Sequence, residues 1–221
     1  MRVHALDLPS ATQALLDAGP KLSCTYACCS NAGSILLARR DAPYREILNG
    51  AALNMPDSVP LVGLARLAGY RRVHRAQGTN LMQSTCNATT DGSRTHFFYG
   101  GAPGTATELA DRLLKRFPGI LIAGSHSPLA ERAVEDRPLN AVALAQPGFV
   151  WVGLPSPDQE LFMQRLAASE IQFGVAIGVS NAFDFITGRV RAAPFALQRS
   201  GLEWLWPTPT REPDGDAVPS S

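Results

Sequence analysis

The chain has 221 residues, 45% of them hydrophobic and 18% charged, and a net charge of +1. That length supports one domain with a sizeable core, and the near-neutral balance excludes the basic footprint of a nucleic-acid binder. No apolar run reaches the roughly 18 residues of a spanning helix, and MRVHALDLPSATQALLDAG lacks the pattern of a signal peptide.

In chain order, SATQALLDAG reads as a short amphipathic helix and KLSCTYACC as a strand. SNAGSILLARRD opens as a helix capped by Ser30 or Asn31, APYREILNG is a second helix closed by Gly50, and VPLVGLARLAG is a third closed by Gly69. ALNM, just before Asp57, reads as a strand. Asp57 therefore stands where a strand ends and a helix begins, either as a helix cap or as a functional carboxylate. THFFYGG is a buried strand ending in glycines. TATELADRLLKRFPG carries apolar residues at helical spacing, with Thr105 to Glu108 in a capping-box pattern. ILIAGS and FVWVGLP are strands, SPDQELFMQRLAAS a helix, and FGVAIGV a strand leading into SNAFDFITG. This alternation predicts an α/β fold with a mostly parallel central sheet covered by helices on both faces. The domain is expected to span residues 1–206, with residues 207–221 a Pro-rich disordered tail.

Cys24, Cys28, Cys29 and Cys86 have no second cluster or histidine pair at metal-ligand spacing, so reduced structural thiols in a cytoplasmic protein are expected. The DGD of the tail resembles a metal-binding D-x-D, but a floppy terminus cannot hold a metal in a cleft. Ligands of a parallel sheet bind beyond the carboxyl ends of its strands. Asn31, Asp57, Gly100, Gly101 and Gln159 fall at such ends, as does His126, whose reading is structural. Asn31 and Gln159 also suit helix capping, Gln159 through its spacing from Ser156 with Pro157 between them. YGGAPGTATE is either a plain tight turn or a phosphate contact at a helix start. Asp184 in NAFDF is open to either reading.

In order along residues 29 to 206, the segments SNAGSILLARRD, LNMPDSVPLVGLARLAG, HRAQGTNLM, FFYGGAPGTATELADRLLKRFPG, WVGLPSPDQE, GVSNAFDFITGRVRAAP and GLEWLW resemble the WecG/TagA/CpsF glycosyltransferases (glycosyltransferase family 26). The resemblance implies a Rossmann-like domain with a C-terminal appendage from about residue 187. It implies transfer of a sugar, often of N-acetylmannosamine type, from a UDP donor with inversion at the anomeric carbon; the expected donor sugar is an N-acetylhexosamine or a relative of one, with a uronic acid or hexose as alternatives. No metal or other cofactor is required. Carried over by motif, Asp57 is the base, while Cys29, Asn31, Arg75 and Gln159 face sugar or acceptor. Gly100, Gly101, Gly153, Asn181, Asp184, Arg191 and Glu203 are assigned to the nucleotide and diphosphate. A carboxylate suits removal of the proton from an attacking hydroxyl, and without a metal the departing diphosphate needs arginine or backbone donors. This reading requires Asp57 to lie near the glycine turn.

The chain departs from the family pattern at Cys29 (threonine in the family), Ser58 (glycine), Asn80 (aspartate), and Ser180 and Asn181 (paired glycines). After GLEW the family continues into an arginine-rich helical segment that meets the membrane. Here Pro207 intervenes and only Arg211 remains, although Arg189, Arg191 and Arg199 offer other charge. Weak or absent membrane association is expected, with a location in the cytoplasm or at the inner membrane face and a homo-oligomer allowed. The acceptor is a soluble small molecule or a polyprenyl-diphosphate-linked sugar, with a lean toward the former. The competing readings are a catalytically inactive nucleotide-sugar binder and, on the glycine loop alone, a nicotinamide-dependent oxidoreductase.

Overall fold

The computed structural model describes residues 1–21, 24–71, 73–128 and 137–191. Its strands are β1 (Thr25–Ser30), β2 (Leu53–Pro56), β3 (Thr95–Gly100), β4 (Leu121–His126), β5 (Phe149–Gly153) and β6 (Val175–Gly178). They form one six-stranded sheet in the order β2-β1-β6-β5-β3-β4, and every ladder is parallel. The helices are α1 (Leu8–Lys21), α2 (Ala32–Arg40), α3 (Ala42–Gly50), α4 (Val59–Leu67), α5 (Gly78–Ala88), α6 (Thr105–Arg116), α7 (Arg137–Ala145), α8 (Asp158–Ala167) and α9 (Ala182–Thr187). The continuous apolar runs of β3 and β5 follow from burial on both faces, because crossover helices cover both sides of a parallel sheet.

The two faces carry separate cores. On one, α1, α5, α6 and α9 bury Leu15, Met82, Leu109, Leu113 and Phe183 against Phe98, Trp151 and Ile177. On the other, α3, α7 and α8 bury Ile47, Leu48, Val142, Phe162 and Met163 against Tyr99, Val150 and Val152. His96 of β3 is fully buried: Nδ1 accepts from the Trp151 indole at 3.0 Å, and Nε2 lies 2.9 Å from the Thr89 hydroxyl. Those partners fix a neutral ring, and burial lowers its pKa to about 4. His126, at the end of β4, stacks on Tyr99.

Several local expectations change. Asn31 rather than Ser30 caps α2, its side chain accepting the Ser34 N–H. Ser58, not Asp57, is the N-cap of α4. Thr105 does not open a capping box: Gly104, with φ of 81°, is the N-cap of α6, and Glu108 instead binds Arg112 and Arg189. Pro157 is the N-cap of α8, so Gln159 lies one residue inside that helix rather than at the third position of a box. Helices α5 and α7 are additional to the elements read from the sequence. The first is visible in hindsight from Leu81, Met82, Thr85 and Cys86, which are buried at helical spacing. Glu203, Arg199, Arg211, GLEWLW and the 207–221 tail lie outside the described residues, as does most of the region assigned to the appendage.

Candidate active site

Asp57 is the first residue beyond β2. Its N–H donates to the Ser30 carbonyl at 2.8 Å, so the end of β1 fixes where the chain turns. Ser30 is itself buried and donates through its hydroxyl to Asn54 at 2.7 Å. The Ala76 N–H then bonds to the Pro56 carbonyl at 2.9 Å, which lays the segment before α5 alongside the end of β2. Two further contacts follow. Arg75 Nε donates to the Asp57 main-chain carbonyl at 2.6 Å, and Asp57 Oδ1 accepts the Gly78 N–H at 3.3 Å. The carboxylate thus sits against the first turn of the 11-residue helix α5, where the helix dipole favours negative charge.

These residues border a cavity of about 210 Å³ at the carboxyl end of the sheet. Asn31, Asp57, Arg75, Gln77, Thr79 and Asn181 supply its polar wall, and Val179 and Phe185 its apolar part. The capping bonds of Asn31 use its amide oxygen, at 3.0 Å from the Ser34 N–H, leaving the amide NH₂ as its contribution to a ligand. Asn181 precedes α9, is exposed, and makes no capping bond through its side chain. A cavity holding one carboxylate, one guanidinium and several amides and hydroxyls is equipped to bind sugar hydroxyls and to remove a proton from one of them.

Cys29 lies beneath this cavity, not on it. It is 3% exposed, and burial, reinforced by the nearby Asp57 carboxylate, holds its thiol well above the usual value. A neutral thiol in the core is its state. Gln159 is also fully buried. Its Oε1 accepts the Ser180 N–H at 2.7 Å and its Nε2 donates to Glu160 Oε1 at 3.0 Å. Ser180 lines the cavity with φ of 45°, a left-handed conformation uncommon for serine. Gln159 therefore meets the cavity through the backbone of the β6–α9 loop.

The glycine turn is elsewhere. The sheet order places the end of β3 four strands from the end of β2, about 19 Å at ~4.8 Å per strand. Asp57 and Gly100–Gly101 share an edge of the sheet but not a pocket, so the proximity that the motif reading required is not met, and a diphosphate beside Asp57 has to meet groups other than the glycine turn. The separation arises because β3 pairs with β4 and β5 and β2 pairs with β1, so β2 and β3, successive in sequence, lie apart in the sheet. The turn is explained by packing. Gly101 donates its N–H to the Gly153 carbonyl at 2.9 Å, and a Cβ on Gly100 would run into that same carbonyl group. A Cβ on Gly153 would meet the Phe183 ring. The N–H groups of Thr105 and Ala106 bond to Ala102 and Ser127, so these donors already have protein partners.

Asp184 lies in the first turn of α9, off the cavity wall. Burial pushes its carboxyl up while Arg189 pulls it down. Arg191 is exposed at the end of the described chain. Among the described residues, no group of three or more His, Cys, Asp or Glu side chains is arranged to hold a metal ion.

Residues 1–213 match the family described as the glycosyl transferase WecG/TagA/CpsF family. The chain belongs to it. Over 171 residues it is 31% identical to the N-acetylglucosaminyldiphosphoundecaprenol N-acetyl-beta-D-mannosaminyltransferase of Bacillus spizizenii (strain ATCC 23059 / NRRL B-14472 / W23). It is 28% identical over 171 residues to the protein of the same name from Bacillus subtilis (strain 168). Each match covers 76% of this chain and 65% of the relative, so the chain spans just under two thirds of the length of these curated relatives. In this member of the WecG/TagA/CpsF family, Gln77 and Thr79 are cavity residues that the sequence reading passed over. Both flank the start of α5, and the signal for them was that unassigned helix.

Proposed function

We propose that the chain is a glycosyltransferase moving an N-acetylmannosamine-type sugar from a UDP donor to a hydroxyl of a diphosphate-lipid-linked sugar. Transfer proceeds with inversion and without a metal. The observation that carries this is the convergence of Asp57, Asn31, Arg75 and Asn181 on one cavity at the carboxyl end of the sheet. The names of the two Bacillus relatives favour the lipid-linked acceptor over the soluble one that the tail suggested. In this reading Asp57 takes the proton from the acceptor hydroxyl as that oxygen attacks the anomeric carbon, and the bond to the UDP oxygen breaks on the opposite face. The bond from Gly78 and the adjoining helix start hold the Asp57 carboxylate in place. Arg75 and Asn181 meet the charge that develops on the departing diphosphate. Asn31, Gln77 and Thr79 hold sugar hydroxyls. The nucleotide end lies along the sheet edge beyond Ser180, on the side away from Asp57.

The test is the Asp57→Asn variant, assayed for UDP release with UDP-N-acetylmannosamine and a lipid-linked N-acetylglucosamine acceptor. Loss of a proton acceptor lowers turnover by roughly 10²–10⁴-fold, while donor binding, read by thermal stabilisation, persists. Unchanged turnover removes Asp57 from the role. Donor binding by the wild-type protein with no UDP release favours the inactive binder.

A further inference from the structure

Helix α4 is more apolar than its packing requires. Of VPLVGLARL only Val62 is buried, while Leu64 is 63% and Leu67 87% exposed. Tyr70, just beyond the helix, is 67% exposed and lines the same groove as Leu64. Exposed apolar side chains gathered in one region mark a contact surface. Beneath this face runs a groove of about 700 Å³, walled by the N-terminal segment Met1–Ala5 on one side and by Leu61, Leu64, Ala65 and Ala68 on the other. The N-terminal segment is pinned to the outer edge of β2, where the His4 N–H bonds to the Asn54 carbonyl at 2.7 Å and the Asn54 N–H to His4 Nδ1 at 3.0 Å.

Two observations identify the occupant. The first is continuity with the Asp57 cavity, because the same three pieces of chain border both spaces. Ile35 lines the groove and Asn31, one helical turn earlier, lines the cavity. Pro56 lines the groove and Asp57 the cavity, and Val73 and Arg75 divide in the same way. The second is charge. Between Asp57 and Asp91 the sequence contains no acidic residue, but arginine stands at 66, 71, 72 and 75. Arg66 and Arg71 are exposed beside the leucines, and Arg39 and Arg40 are exposed at the end of α2. An apolar face rimmed by arginine complements a lipid carrying anionic phosphate.

We propose that this groove holds the isoprenoid chain of the diphosphate-linked acceptor, with the α4 leucines resting in the bilayer from which that lipid is drawn. The inference rests on the function proposed above. It adds the path by which the substrate reaches Asp57: hydrocarbon under α4, diphosphate among the arginines, sugar hydroxyl at the carboxylate. The attachment surface is then built into the catalytic domain.

The test uses the full chain. In flotation with vesicles of phosphatidylcholine and phosphatidylglycerol, the wild-type protein is expected with the lipid. Replacing Leu64 and Leu67 together by glutamate lowers the bound fraction at least about tenfold, with an unchanged circular dichroism spectrum because both side chains are exposed. In a titration with fluorescently tagged farnesyl diphosphate, Ala65→Trp, which fills the groove, weakens binding about tenfold and leaves UDP binding unchanged. Three results overturn the proposal: a wild-type protein that stays with the soluble fraction, a double variant that floats as before, or an Ala65→Trp protein that binds the probe normally. Sedimentation showing a dimer that the leucine variant dissolves, without flotation, assigns the face to a second copy and also overturns it. Flotation and probe binding without any sugar transfer retain this surface and reject the proposed function.

Discussion

Helices α6 and α4 each follow a strand of the same sheet, yet they meet the fold in opposite ways. α6 buries Ala106, Leu109, Ala110 and Leu113 and turns Glu108, Asp111, Arg112, Lys115 and Arg116 away from the core. Its pattern and its packing agree, as an amphipathic helix over a central part of a sheet requires. α4 carries one charge, Arg66, and buries one residue. The difference lies in position. α6 packs on the interior strand β3, on β4 and against α9, whereas α4 follows the edge strand β2 and belongs to neither core cluster. An edge cannot bury a helix that is apolar on most sides. Where local sequence and packing disagree in this way, the surplus points to function.

Four measurements would break or sharpen that contrast. The largest effect is expected in the α6 core, where Leu113→Ala removes a fully buried side chain and lowers unfolding free energy by about 2–5 kcal/mol. Denaturant midpoints check it, and a loss below 1 kcal/mol would show that α6 is held no more firmly than α4.

The buried strands beneath α6 should show a pH dependence of similar size. His96 has a folded-state pKa of about 4, depressed from the ordinary 6.5. The unfolded chain therefore binds the proton first as pH falls. The contribution is fully present above pH 6.5 and is lost as pH drops toward 4, amounting to roughly 3 kcal/mol. The ring should remain neutral by NMR at pH 5, and titration of that resonance near 6.5 would contradict the buried geometry.

A smaller change is expected at Glu160, which is 1% exposed. Its Oε1 accepts from the Ser156 hydroxyl and from Gln159, while Oε2 and the Tyr44 hydroxyl have no hydrogen-bond partner within geometric limits among the described residues. Burial raises this carboxyl's pKa, so its ionisation opposes folding as pH rises above the ordinary carboxylate range. Glu160→Gln keeps the accepted bonds and removes the charge. It is expected to stabilise the protein at pH 7, with the gain vanishing below the ordinary carboxylate pKa. Equal gains at both pH values would place the effect elsewhere.

The smallest effect belongs to α4. Leu67→Ser should change stability by less than about 0.5 kcal/mol, because an exposed side chain has little burial to lose. A larger loss in thermal or denaturant unfolding would mean that the leucine face is covered in the folded monomer.

The fold was legible where one element explains its own pattern. Continuous apolar strands, helical spacing in α6 and the alternation of the two led directly to a parallel sheet covered on both faces. Asn31 was legible as a cap because capping is a local bond. Gln159 was not read as a buried bracket, since its partners Ser180 and Glu160 become significant only once β6 and α8 are side by side. Nor could any spacing reveal that Asp57 accepts from Gly78, 21 residues onward. The helix that supplies that N–H was itself passed over, because its mixture of small and polar residues gives a weak period.

The glycine turn shows the limit most clearly. Read along the chain, Asp57 and Gly100–Gly101 are equivalent: each ends a strand and each is polar or bare enough to meet a ligand. Strand order separates them. Periodicity, capping residues and strand-forming runs are short-range properties, so composition and local pattern were enough to specify the elements and the edge of the sheet on which ligands collect. Which strand ends share a pocket, and whether an apolar helix is covered or left at the rim, depends on pairing between distant segments. That pairing is settled by how the two hydrophobic faces close together.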